Sequence, residues 1–279
     1  MREDLQMIQV QCKERGWYIT SPDNVNVINW WDEDRDFSKE PLQVLSYGGG
    51  TQSTAMLIMM NQGLIPKADV VIHADTGSEL PETVAFIEAA KEYVENVLKI
   101  PFVIVNSHRG TLHDDYMRLG NIPIIGARSC TSNFKILPQR RFIRLIVGKR
   151  NRHLADCLLG ITTDESKRRT EGEVQWCGLK YPLLDERPTT RQECIDLNTS
   201  QGWNVAKSGC FCCPYQGGKQ WLELKQNHPD LFQIAVEMEN KKMRVKGGRL
   251  GLYQERPLSD LDNITLEESQ CDSGAGCFI

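Results

Sequence analysis

The sequence lacks a run of about 18 apolar residues, which is the length that a helix needs to cross a membrane. It also lacks an excess of positive charge, since the 279 residues carry a formal net charge of −4. Internal repeats and low-complexity tracts are absent as well. These absences argue against a transmembrane helix, and they give no global sign of a nucleic-acid-binding protein.

The chain also begins without an apolar segment of the secretory kind. Residues 1–6 are largely polar and carry no apolar h-region, which argues against secretion. We therefore expect a cytoplasmic protein. Apolar residues make up 40% and charged residues 25% of the sequence, as in ordinary globular proteins. The length suffices for one large α/β domain or for a core with a smaller appendage.

Cysteine, in contrast, is plentiful, with ten residues in the chain. A reducing compartment disfavours structural disulfides, so metal, cluster or redox roles are the hypotheses that remain for these thiols. Basic residues are unevenly spread, with a cluster in the segment 140–152 that consists of Arg140, Arg141, Arg144, Lys149, Arg150 and Arg152. This segment is either a positive face for phosphates or a solvated helix surface.

The order of apolar and helical patterns predicts an α/β fold, in which a parallel sheet has helices on both faces. We expect strands at 42–47, 70–74, 102–106 and 158–161, and helices at 51–62, 81–97 and 134–147. Strands that alternate with helices form βαβ units, and such sheets bind ligands at the carboxyl ends of their strands. The loops after Tyr47 and Ala74 lie at such ends.

Beyond about Trp176 the strand pattern disappears, and we expect a mostly helical C-terminal region. Its predicted helices span 190–201, 216–226 and 230–241. The chain is thus divided into an N-terminal helix and lead-in (1–40), an α/β core (41–175), and a helical region with clustered cysteines and a flexible tail (176–279).

A glycine-rich segment joins the first predicted strand to the first helix. Its candidate binding residues are Ser46, Gly48, Gly49, Gly50, Thr51, Gln52 and Ser53. Glycine lets the backbone approach an oxyanion closely, hydroxyls donate hydrogen bonds, and a helix N-terminus supplies N–H groups and partial positive charge. The pattern is typical of a phosphate-binding loop, although an ordinary strand-to-helix turn is the alternative.

A second polar loop follows the second predicted strand. Pro81 suits the first turn of the next helix, and Glu82 is favourable near the helix N-terminus. Capping does not explain Asp75, Thr76 and Gly77 at the end of the strand.

Four segments together resemble the adenine nucleotide α-hydrolase (PP-loop ATPase) superfamily, specifically the phosphoadenosine phosphosulfate (PAPS) reductase-like family. They are the glycine turn, the loop 75–83, the segment 160–169, which is similar to Gly-Ile-Arg-x-x-Glu-Ser-x-x-Arg, and the segment 130–138, which is similar to Cys-x-x-x-Lys-x-x-Pro. The resemblance covers about residues 42–226.

The resemblance implies that the core binds ATP or a related adenine nucleotide. Phosphates would lie at the glycine turn, and adenine would contact the strand end. Lys135, Arg168 and Arg169 would face phosphate or sulfate, although a lone Lys or Arg is more often a surface residue. Beyond the glycine turn, the implied nucleotide-binding residues are His73, Ala74, Asp75, Thr76, Gly77, Glu165, Ser166 and Arg168.

One residue departs from the family pattern, because ATP-cleaving members usually carry Asp where this chain has Gln52. An amide can hydrogen-bond a phosphate, but it cannot supply a carboxylate to Mg²⁺, which is a further candidate cofactor. Nucleotide binding is therefore better supported than ATP cleavage.

Three cysteines fall within four residues, and Cys210 and Cys213 form a C-x-x-C pair that is followed by proline. This spacing favours a [4Fe-4S] cluster, with Cys130, Cys210, Cys212 and Cys213 as the ligand set. Cys130 is included because its matching family position supplies cluster cysteines. The alternatives are a structural zinc site, a cluster with three protein ligands and an open iron, and buried thiols without a metal.

Three functions remain open from the sequence. The first is ATP cleavage at the α-phosphate, giving AMP and pyrophosphate or an adenylated acceptor, in nucleic-acid sulfur modification. The second is reduction of an adenylyl sulfate, with Cys277 of the tail as the nucleophile. The third is a non-catalytic nucleotide-binding accessory of a nucleic-acid-modifying or defence system. The catalytic candidates are Lys135, Arg169 and Cys277, and the segment 140–152 would contact nucleic acid or a sulfur-donor protein.

Overall fold

The computed structural model describes residues 35–205, 208–246, 251–253 and 257–263. Residues 1–34 of the predicted N-terminal helix and lead-in, and the tail residue Cys277, lie outside these ranges. Within them, no helix is both long enough and apolar enough to span a bilayer. The cytoplasmic location stays a prediction.

Five parallel strands form one sheet, in the order β3-β2-β1-β4-β5. The strands are β1 (Leu42–Ser46), β2 (Val70–Asp75), β3 (Phe102–Asn106), β4 (Ala155–Leu158) and β5 (Cys177–Lys180). Because the order reverses beside β1, the chain leaves β1 toward β2 on one side and reaches β4 on the other. The neighbouring carboxyl ends of β1 and β4 therefore border a crevice, which is where parallel sheets bind ligands.

The helices are α1 (Thr51–Asn61), α2 (Pro81–Tyr93), α3 (Leu112–Leu119), α4 (Leu137–Val147), α5 (Pro182–Asp185), α6 (Arg191–Ser200), α7 (Gly218–Asn227) and α8 (Pro229–Lys246). π-helical turns at Val94–Leu98 and Thr131–Ile136 adjoin α2 and α4, and 3₁₀ turns cover Thr163–Arg168 and Leu258–Asn263. The predicted helical C-terminal region is confirmed by α6, α7 and α8.

The strands place alternate side chains on opposite faces of the sheet, as a pleated strand requires. Leu42 and Val44 pack on one face with side chains from α4, whereas Leu45 and Tyr47 pack on the other with α1 and α2. Helices therefore cover both faces. The predicted α/β architecture is confirmed.

Two predictions about strands are wrong. The fourth strand spans Ala155–Leu158 and not 158–161 as predicted. The chain leaves the sheet after Leu158, so the apolar residues that follow lie outside the strand. Strand β5 was not expected, since it has only four residues and mixed burial and thus lacks a periodic signature. The sheet continues to Lys180, while the three-part division at residues 40 and 175 stays a prediction.

The segment with clustered cysteines is fastened to the loop that follows β2. The N–H of Phe211 donates to Ser78 O at 2.8 Å, and that of Leu80 donates to Gly209 O at 3.3 Å. These bonds bring Ser208 and Gly209 over the glycine turn. The proximity is seen at Ser208, whose hydroxyl lies 3.1 Å from the position that a Cβ on Gly50 would take.

Candidate functional site

A cleft opens at the carboxyl ends of β1, β2 and β4. Its walls are formed by Ser46, Tyr47, Gly48, Gly50, Gln52, Ser53, His73, Ala74, Glu79, Thr83, Lys135, Leu159, Gly160, Ile161, Ser208 and Gly209. The structure thus brings together residues from four segments that the sequence indicated separately. They are the glycine turn, the strand end at His73 and Ala74, Lys135, and the start of the segment 160–169.

The glycine turn presents the start of α1 to the cleft. Gly50 is the residue before the helix, with no side-chain cap, and the first turn of α1 has no acidic residue. The first turn of the helix therefore offers backbone N–H groups and the positive end of the helix dipole with no carboxylate of its own. Such a helix start can bind an anion.

Gly49 explains why the turn needs glycine. Its φ of +70° is in the left-handed region, and a Cβ there would lie 3.2 Å from Ile87 Cγ1. Gly160, from the loop after β4, approaches the same helix start, since its Cβ would lie 3.1 Å from Ser53 N. The turn is thus packed closely from two sides.

A buried hydroxyl faces the cleft without a partner in the described part of the protein. Ser46 is 4% exposed, and its Oγ makes no hydrogen bond. A buried hydroxyl that is left unpaired costs free energy, on the order of 1–3 kcal/mol. A bound ligand with hydrogen-bonding atoms would satisfy this hydroxyl.

His73 has a structural partner inside the protein. Its Nδ1 lies 2.9 Å from Tyr47 O, which fixes the ring against the end of β1. Burial lowers the pKa of His73, and the nearby charge of Lys135 acts in the same direction. The neutral imidazole therefore shapes the cleft wall rather than adding charge to it.

Glu79 is a cleft residue that the sequence analysis missed. Its carboxylate accepts hydrogen bonds from the backbone N–H groups of Thr76 and Ser78 and from Thr76 Oγ1 at 2.8 Å. Burial and the charge of Asp75 raise the pKa of Glu79 to about 7, against the opposing effect of Lys135. The sequence did contain a signal for Glu79, namely the Thr-x-x-Glu spacing from Thr76. This spacing is typical of a capping box, in which side chains and backbone N–H groups pair reciprocally.

The residues Asp75, Thr76 and Gly77 build the loop around the cleft and do not themselves line it. The Asp75 carboxylate accepts from Gly77 N at 2.7 Å and from the Asn106 amide at 3.0 Å. Gly77 has φ of +64°, and a Cβ there would lie 2.7 Å from Thr111 Cγ2. Their contribution to nucleotide binding stays a prediction.

Gln52 connects the glycine turn to the 3₁₀ turn 163–168. Its Nε2 donates to Glu165 Oε2 at 3.1 Å, and Glu165 forms an ion pair with Arg168 at 2.9 Å. Gln52 is buried, so its amide serves as an internal link. An Asp at this position would place a second carboxylate beside Glu165.

Arg169 and Ser166 lie away from the cleft walls. Arg169 forms an ion pair with Asp185 at 2.6 Å and lies over the ring of Tyr181, with half of its side chain exposed. Ser166 is exposed. Of the cationic candidates that the structure describes, Lys135 is the one that lines the cleft, and the catalytic role of Arg169 stays a prediction.

Most arginines of the segment 140–152 make contacts within the protein. Arg140 pairs with Glu173 at 3.0 Å and Arg152 with Asp36 at 3.6 Å, while Arg144 lies 4.0 Å from the ring centre of Trp176. These contacts anchor α4 and the loop after it. A nucleic-acid or protein partner for this segment stays a prediction.

The predicted metal ligands lie in an apolar layer. Among the residues the structure describes, no group of three or more His, Cys, Asp or Glu side chains is placed to hold a metal ion. Cys210 Sγ lies 3.2 Å from Thr76 Oγ1 and 3.9 Å from Glu79 Oε1, and Cys212 is buried beside Phe211. All four predicted ligands, Cys130, Cys210, Cys212 and Cys213, lie in or against this one apolar layer. Metal binding by these thiols stays a prediction, and no chemical step is assigned to it.

Residues 43–177 match the family model "Phosphoadenosine phosphosulfate reductase domain". A relative from Methanocaldococcus jannaschii, whose name is "Uncharacterized protein MJ0973", is 25% identical over 207 residues, which are 69% of this chain and 46% of the relative. The chain therefore spans about half the length of this curated relative.

A solved structure with some similarity is the phosphoadenylyl-sulfate reductase from Candida auris in complex with phosphate. The match has a TM-score of 0.42 and 12% sequence identity, and it covers 64% of this chain and 80% of that chain.

Proposed function

We propose that the protein is an enzyme that binds an adenine nucleotide in the cleft and cleaves ATP at the α-phosphate. The match of residues 43–177 to the phosphoadenosine phosphosulfate reductase domain model supports nucleotide binding. The observation that supports this most is the unpaired Ser46 hydroxyl beside the uncapped start of α1. Both features call for an anionic, hydrogen-bonding ligand at the glycine turn.

In the proposed complex, the phosphates lie at the glycine turn and contact Lys135. Water or an acceptor group attacks the α-phosphorus, the bond from that phosphorus to the bridging oxygen breaks, and negative charge passes to the departing pyrophosphate. Preorganised N–H groups and a fixed cation stabilise such developing charge most strongly where water is excluded. We assign this role to the start of α1 and to Lys135, because the Gln52 amide is already bound to Glu165. The base would lie against the backbone at Ala74.

Reduction of an adenylyl sulfate is the second candidate, and the name of the matched domain favours it. In that reaction a thiolate attacks the sulfur and displaces the nucleotide, and a second thiol then releases sulfite and leaves a disulfide. The proposed nucleophile, Cys277, lies outside the described residues. ATP cleavage needs no such thiol, so the two candidates differ in their dependence on Cys277.

The candidates separate by their products. Purified protein is incubated in parallel with ATP, with adenylyl sulfate and with phosphoadenylyl sulfate. We expect AMP and pyrophosphate from ATP, with the rate abolished by Lys135→Ala and retained by Arg169→Ala. Sulfite that disappears in Cys277→Ser would instead establish the reductase. If no substrate gives a product while nucleotide binding is intact, the result would support the non-catalytic accessory role.

The [4Fe-4S] cluster stays a separate prediction. Anaerobic purification followed by iron, zinc and acid-labile sulfide analysis tests it directly. About four irons per chain would establish the cluster. One zinc without iron would establish the zinc alternative, and neither metal would exclude both.

A further inference from the structure

A second cavity of about 750 Å³ lies between α4 and the strands β4 and β5. This volume is within the range of small-molecule binding pockets, roughly 300–1,000 Å³. The cavity adjoins the nucleotide cleft, because Leu159 and Ile161 border both. It shares Arg168 with the nucleotide-binding residues that the family resemblance implies, but the phosphate-binding roles assigned to the start of α1 and to Lys135 do not use it.

The floor of the cavity is apolar. Ile143, Leu179 and Tyr181 contribute hydrocarbon and ring surface, and Cys157 and Cys177 lie beside them. Burial raises the pKa of Cys157, and it raises that of Cys177 to about 11. Both thiols therefore stay protonated at neutral pH and act as apolar surface.

The rim, in contrast, carries an excess of positive charge. Its cations are Arg128, Arg140, Lys167 and Arg168, and its carboxylates are Glu171 and Glu173. Arg140 pairs with Glu173, whose side chain is 74% exposed, so this ion pair is screened by water. Cations beside an apolar floor favour an anion that also has an apolar part.

A polar atom of the cavity wall points to a ligand independently of the rim charge. Gln139 is 3% exposed, and its Nε2 has no hydrogen-bond partner in the described part of the chain. Buried amide donors are nearly always paired, because leaving one unpaired is costly. An acceptor atom on a bound molecule would pair it.

We propose that this cavity binds an organic anion, with its apolar part against Ile143 and Leu179, its charge near Arg140, and an acceptor atom at Gln139 Nε2. The site extends the protein's chemistry beyond the nucleotide cleft. Its position beside Leu159 and Ile161 makes the anion a second substrate, a role that rests on the proposed function. The binding itself does not depend on the nucleotide.

The test uses 8-anilinonaphthalene-1-sulfonate, an organic anion with an apolar body, as a fluorescent probe in the absence of nucleotide. We expect saturable binding to the full chain at one site. Leu179→Trp fills the cavity and should weaken binding at least about tenfold. Gln139→Leu removes the amide donor and should weaken it about threefold to tenfold.

Two controls make the result decisive. Gln139→Leu should unfold in urea at the same or a higher concentration than the wild type, because it removes a buried amide that lacks a partner. Gly48→Ala, which alters the nucleotide cleft, should bind the probe like the wild type. Wild-type affinity in Gln139→Leu and Leu179→Trp, or weakening by Gly48→Ala alone, would overturn the proposal, whatever the outcome of the ATP experiments.

Discussion

The glycine turn and the cysteine segment 209–214 both contain strong sequence motifs, yet the two segments have different surroundings in the structure. The turn presents an unpaired hydroxyl and an uncapped helix to a cleft. The cysteine segment packs Phe211 and Cys212 into an apolar layer. A phosphate-binding turn is built from neighbouring residues, whereas a metal site needs ligands that the whole fold must bring together. The geometry of the turn therefore follows from the local sequence, whereas metal binding by the cysteine segment stays a prediction.

The largest expected effect is at Gly49. The Gly49→Val change puts a β-branched residue at φ of +70° and 3.2 Å from Ile87. Strain and overpacking together should lower the free energy of unfolding by roughly 3 kcal/mol. Urea unfolding followed by circular dichroism measures this. Wild-type stability would mean that the turn has a different conformation.

Lys135 and Arg169 form a matched pair of cations, one inside the cleft and one outside it. Lys135→Ala should weaken ATP binding about 30-fold, because it removes a charge-assisted contact to phosphate. Arg169→Ala should leave the dissociation constant unchanged, since Arg169 pairs with Asp185 at the surface. Equal effects of the two changes on binding would refute this assignment of the cleft wall.

Glu79 should make stability depend on pH. Its pKa rises from about 4.5 in the unfolded chain to about 7 in the fold, so the fold favours the protonated acid. This contribution is complete below pH 4.5 and is lost as the pH rises through 7. Between pH 5 and 8, the wild type should lose about 1–2 kcal/mol relative to Glu79→Gln. If the urea midpoints of the two proteins change with pH in the same way across this range, the pKa of Glu79 is not raised.

The smallest effect is expected in the cysteine segment. Cys212→Ala removes a fully buried thiol and should cost about 1 kcal/mol of stability. ATP affinity should not change, since Cys212 does not line the cleft. Loss of bound iron together with a much larger loss of stability would show that the segment holds a cluster.

The sequence was sufficient to predict the parallel sheet, the helices on its two faces and the glycine turn. Each strand, helix and turn follows from a pattern of adjacent residues, and the alternation of strands and helices indicates a parallel sheet. It did not suffice for β5, which has four residues, or for the second cavity, whose walls come from α4, β4 and β5. Nor could it separate Arg168 from Arg169. The 3₁₀ turn directs Arg168 to Glu165, three residues earlier, and leaves Arg169 to pair with Asp185.

Isothermal titration of ATP into the wild type and into Gly48→Ala tests the central claim most directly. A Cβ on Gly48 would meet no atom within 4 Å, so the variant should fold normally. Yet Gly48 lines the cleft, where the added methyl would occupy space that the phosphates need. We expect one ATP per wild-type chain and binding at least about tenfold weaker in the variant. Equal affinity in both proteins, or no ATP binding by the wild type, would contradict it.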